Sequence, residues 1–167
     1  MFNIGAFLVL RDLKVEELPY HLLVYSLVWF GTDIISHLAF KDPRPLKWIV
    51  RGTGAILTII NYGLLFSGNN AFAATIGFGV YALLFLTISL LYNQPTLGYT
   101  FTVTLPLFVT FFFREFGITK WIHPVVFVAM LYYAIGFLLR LTKRSAGWDN
   151  TLLVSGLGLG IIVSMAA

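Results

Sequence analysis

The chain has 167 residues, of which 59% are hydrophobic and 11% charged, against about a quarter charged in soluble domains, and its mean hydropathy is +0.88. That balance excludes a soluble globular domain and a disordered chain, while zero Cys excludes disulfides, thiolate metal sites, iron–sulfur clusters and thiol nucleophiles. The formal charge of +4 comes from basic residues that flank apolar runs, where they orient a membrane protein and meet anionic headgroups; no basic stripe interleaved with aromatics points to nucleic acid.

In chain order, the first element is residues 1–18. Ile4, Phe7, Leu8, Arg11 and Val15 fit a helical spacing, so an amphipathic helix lying at the membrane interface is expected. The apolar run before Arg11 is short, with neither a basic n-region nor a small-residue cleavage site, and does not read as a signal peptide. Six apolar runs follow, at 19–40, 48–66, 71–92, 96–113, 124–141 and 151–167. Each is near the roughly 17 to 25 residues that cross a bilayer at about 1.5 Å rise per residue. The joints KDPRPLK, SGNN, NQP, REFGITKWIH and TKRSAGWDN carry turn, breaker or charge signals and hold no soluble domain. The expected fold class is all-α: a polytopic integral membrane helix bundle over 19–167, with six transmembrane helices and an N-terminal interfacial helix.

Charge asymmetry gives the expected orientation. One side of the membrane receives Lys41, Arg44, Lys47, Arg51, Arg140, Lys143 and Arg144, whereas the other receives Arg11, Lys14, Arg114 and Lys120. The positive-inside rule then places loops 41–47 and 142–150 in the cytoplasm and both termini on the opposite side.

The strongest chemical pattern lies in the first span. Projected at about 100° per residue, His21, Thr32, Tyr25, Ser36, Trp29, Asp33, Ser26 and His37 fall on one arc. The opposite arc holds Leu23, Phe30, Ile34, Leu27, Leu38, Gly31, Val24, Ile35 and Val28 and is expected to face lipid. An ionisable residue in hydrocarbon costs a few kcal/mol, so Asp33 should face protein or a water-filled cavity and have a partner. The second span offers one, because Arg51, Gly54, Ala55, Thr58, Asn61 and Tyr62 share a face. In a hairpin Arg51 reaches toward Asp33 in a charge-assisted pair, with Asn61 beyond.

Two readings of that face stand side by side. Ion pairs and hydroxyls on inward faces commonly hold helices together. Alternatively, Tyr25, Asp33, His37, Arg51, Asn61 and Tyr62 line a path for a small solute, ion or lipid-like molecule. A third reading uses His37, one turn from Asp33, for proton relay or hydrolysis in an intramembrane enzyme. No metal site is expected, since only His21 and His123 share a level, and no cofactor is implied.

The later spans read as structural. Ala73, Gly77 and Tyr81 line one side of the third, and Gly156 with Gly160 forms a GxxxG in the sixth that permits close backbone approach. In the fourth, Pro106 frees the carbonyl of Thr102, and the threonines at 96, 100, 102, 104 and 110 are expected to re-satisfy such groups. The partners implied are membrane lipids, together with a membrane protein or a second copy of the chain. A non-catalytic subunit that assembles or anchors a larger membrane complex is the alternative to a solute path.

Overall fold

The computed structural model describes residues 17–39, 44–68, 70–118, 120–142 and 147–166. The interfacial helix expected over 1–18 lies almost wholly outside them. Among the described residues every regular element is helical: α1 (Leu18–Ala39), α2 (Arg44–Ser67), α3 (Ala71–Leu91), a 3-10 turn (Pro95–Leu97), α4 (Gly98–Glu115), α5 (Ile122–Thr142) and α6 (Trp148–Ala166). Six helical segments are long and apolar enough to cross a membrane, and at most 50% of any one is buried within the protein.

Local chemistry sets the ends of these helices. Helix α2 starts at Arg44, four residues before the apolar run, because Pro45 in a first turn lacks only an amide hydrogen that the helix leaves unused. The Asn70 side chain accepts a hydrogen bond from the Ala73 amide at 3.0 Å and caps α3. At its other end α3 closes with Asn93 in the left-handed region (φ 48°). There Gln94 N donates to Ser89 O and Asn93 N to Leu90 O, both at 3.1 Å. Helix α4 closes the same way on Gly117 (φ 79°), with Ile118 N bonded to Phe113 O.

The chain divides into two compact units, 1–73 and 74–167. In the first, α1 packs against α2 as a hairpin. In the second, α5 and α6 pack along their lengths, and α4 lies against both. The α5–α6 approach is close because glycines face backbone. A Cβ on Gly156 would stand 3.0 Å from Ala129 O, and one on Gly136 would stand 3.0 Å from Leu153 N. Gly160, by contrast, faces open space, so only one glycine of the GxxxG serves a contact within the described residues. Val128, Tyr132 and Leu152 form the buried centre, with Phe101, Leu105, Val109, Leu139 and Leu159 packed on it. Helix α3 contributes Phe78, stacked on Phe111 at 5.4 Å, and Gly79, whose missing side chain admits the Phe108 ring.

Candidate functional site

The candidate site is built within the α1–α2 hairpin. The buried stripe of α1 is Leu22, Leu23, Ser26, Phe30 and Asp33, at the i, i+1, i+4, i+8 and i+11 spacing of one helical face. That of α2 is Val50, Gly54, Thr58, Asn61 and Leu65, again one face. Phe30 meets Gly54: a Cβ there would stand 3.1 Å from the ring, so the glycine forms the notch into which the aromatic fits. The two stripes carry apolar volume for packing and polar groups at fixed heights within it.

At one height the polar groups meet. Arg51 Nε donates to Asp33 Oδ2 at 2.9 Å, an ion pair bridging the two helices. The carboxylate is 4% exposed and the arginine 30%. The aspartate is thus enclosed while the guanidinium side reaches the boundary of the protein. A charge-assisted bond of this length is among the stronger side-chain contacts, and here it compensates a carboxylate withdrawn from water.

The other predicted positions separate into two groups. Asn61 is fully buried on the stripe of α2, and Tyr25 and Tyr62 are half-buried. His37, one turn beyond Asp33, is exposed in the last turn of α1. The hydroxyls on this face turn inward to their own helices: Ser26 Oγ donates to Leu23 O at 2.8 Å and Thr58 Oγ1 to Gly54 O at 2.9 Å.

The arc drawn from the sequence is rotated relative to the face that packs. Leu23 and Phe30, expected toward lipid, are 7% exposed, whereas Thr32, expected inward, is exposed and bonds Val28 O at 2.7 Å. Ala55, placed on the inward face of the second span, is exposed as well. The reason is packing. A helix pair buries the ridge that interdigitates best, and the Phe30 ring in the Gly54 notch fills more volume than a row of hydroxyls that can satisfy themselves in-helix.

A second polar cluster, in the 74–167 unit, was only half legible. Pro106 does free the Thr102 carbonyl, yet the donor is Tyr132 Oη of α5 at 3.2 Å and not a threonine. The threonines spend their protons within α4: Thr104 on Thr100 O, Thr110 on Pro106 O and Thr102 on Tyr99 O. Thr102 Oγ1 also shares a 2.8 Å hydrogen bond with Ser155 Oγ of α6. The signal in the sequence was the tyrosine pair 132 and 133 within a largely apolar span; of the two Tyr132 is the buried one, and a buried phenol spends its hydroxyl on a protein group.

Among the described residues there is no group of three or more His, Cys, Asp or Glu side chains able to hold a metal ion. No family model matches the chain, and neither a curated protein nor a solved structure matches it.

Proposed function

We propose that the protein is a multi-pass integral membrane protein that binds or passes a small solute, ion or lipid-like molecule along the polar line of its first two helices. The observation that carries this reading is the enclosed Asp33–Arg51 pair in a hairpin whose outer surface is apolar. A pair of this kind is replaced by apolar residues at little cost to stability, so stability alone gives weak reason to keep it. Ionisable groups within a span more often mark a substrate or ion route. Asp33 and Arg51 supply the charge, Asn61, Tyr25 and Tyr62 line the way, and His37 stands at its exposed end.

Membrane embedding is supported by the outer faces. Val24, Val28, Ile35 and Leu38 on α1 and Ile49, Ile56 and Ile59 on α2 are each more than half exposed. A soluble monomer rarely shows contiguous apolar patches of such extent. The orientation that goes with this reading has loops 41–47 and 142–150 in the cytoplasm and both termini opposite.

Native mass spectrometry of the full chain, purified in mild detergent, tests the proposal. The expected result is a chain carrying a bound small molecule that Asp33→Asn loses while keeping its helical circular dichroism. Occupancy unchanged in Asp33→Asn overturns the role of the pair. A stoichiometric protein partner with no small molecule bound would instead identify an assembly or anchoring subunit.

A further inference from the structure

The seam between α1 and α2 has two unlike edges. On α1, Trp29 and Tyr25 stand one and two turns from Asp33, about 40° and 80° around the helix axis from it, on the side away from Phe30. On α2, Arg51 and Tyr62 share one azimuth beside the buried line of Gly54, Thr58 and Leu65. The Asp33–Arg51 bond joins these two flanks, so Tyr25, Trp29, Arg51 and Tyr62 belong to a single edge, and all four are half-buried. The other edge carries Leu27 and Ile34 of α1 and Leu57 and Leu64 of α2 and is aliphatic.

On the polar edge the charge that an incoming molecule meets is positive. Asp33 is 4% exposed and Arg51 30%. The guanidinium gives its Nε proton to the carboxylate, and its planar fork of donors suits the two oxygens of a carboxylate or phosphate. A cation arriving here meets the guanidinium before it meets Asp33 and is repelled, whereas an oxyanion is attracted.

Depth along the edge gives the rest of the molecule. Arg51 lies three residues inside the span that starts at Trp48, about 5 Å from its end. Trp29 is at the middle of α1, about 16 Å from either end. Tryptophan and tyrosine in spans collect at the two interfaces, so an indole at mid-depth is out of place unless its ring is used there. Val28 of α1 and Ile59 of α2 border the edge and are both more than half exposed, so the edge opens toward acyl chains and not toward water. A cation near one boundary, with ring surfaces continuing to mid-depth, matches the way an ionised amphiphile lies in a bilayer.

We infer that this edge holds a single-chain amphiphile from the membrane, with its carboxylate or phosphate on Arg51 and its acyl chain along Trp29 and Tyr25. This names the class of molecule for the path proposed above and rests on that reading.

Native mass spectrometry of the full chain in mild non-ionic detergent tests it by titration with laurate, dodecyl phosphate, methyl laurate and dodecylamine. The expected result is one laurate or dodecyl phosphate held about tenfold more tightly than the neutral ester or the amine. Arg51→Gln should remove that preference, and Asp33→Asn with Arg51→Gln, which leaves a neutral pair, repeats the reading if the single variant does not fold. Trp29→Leu should weaken the adduct several-fold while keeping the preference for an anion, and Leu64→Ala on the aliphatic edge should leave it unchanged. Equal binding of all four probes, or no adduct with any of them, overturns the inference alone when the chain's own co-purified molecule is still lost in Asp33→Asn. Occupancy that Asp33→Asn leaves unchanged overturns the path reading, and the inference with it.

Discussion

The phenol of Tyr132 donates a hydrogen bond to the carbonyl of Thr102, the acceptor that Pro106 leaves without its in-helix amide. A proline at position i removes the bond to i−4, and in a low-dielectric core the released carbonyl needs another donor. Here the donor comes from the next helix, so the interruption in α4 is also a point of attachment to α5. Tyr132→Phe should destabilise the protein by about 1 kcal/mol, measured by denaturant unfolding in detergent. In a Pro106→Ala background, where the amide is restored, the same change should cost less. Equal costs in the two backgrounds would show that the hydrogen bond is not compensating the proline.

Asp33 and Arg51 make a second coupled pair, and they should behave non-additively. Arg51→Leu leaves an enclosed carboxylate without this cation and should lower stability by on the order of 3 kcal/mol. The double variant Asp33→Leu with Arg51→Leu should recover most of that loss. If the double variant is stable but has lost its bound molecule, the charges are retained for use; if it keeps the molecule, they serve the hairpin alone.

Glycines in the helices divide by what a side chain would meet. Gly54→Ala should cost about 1–3 kcal/mol because the new methyl meets the Phe30 ring, and Phe30→Leu should relieve it. Gly156→Ala should cost a similar amount, since the obstacle is α5 backbone, which cannot turn aside. Gly52→Ala, Gly63→Ala and Gly160→Ala open onto free space and should be neutral or gain about 0.5 kcal/mol through helix propensity. Thermal unfolding of the five variants checks the ranking, and equal effects at Gly156 and Gly160 would contradict it.

The absence of cysteine makes sidedness directly measurable, because any thiol introduced is the only one present. Under the proposed orientation, Lys120→Cys should react with an impermeant maleimide added to intact cells. Asp42→Cys should react only after the membrane is opened. The reverse pattern would invert the topology.

The hairpin itself shows where sequence reasoning stopped. Asp33 and Arg51 were legible as a pair because a guanidinium nearer the turn can reach a carboxylate deeper on the preceding apolar helix, and a charge in a low-dielectric setting needs a partner. The rotation of α1 was not legible. Polar arcs report composition around an axis, whereas the buried ridge is chosen by shape, and here Phe30 and the gap at Gly54 chose it. The α4 threonines misled for a related reason: a short hydroxyl finds its own i−3 or i−4 carbonyl before it reaches a neighbouring helix.

Sequence alone determined the six apolar segments of membrane-crossing length found among the described residues and the residue types available for chemistry. Those follow from local propensity and from counting residues against a bilayer, and neither depends on a partner element. Only the tertiary structure decided which ridge of each helix is buried, that Tyr132 satisfies the Thr102 carbonyl, and that Gly156 is packed while Gly160 stays open. Those facts come from side-chain volumes meeting across helices, a property of residue pairs distant in sequence that no single helix carries by itself.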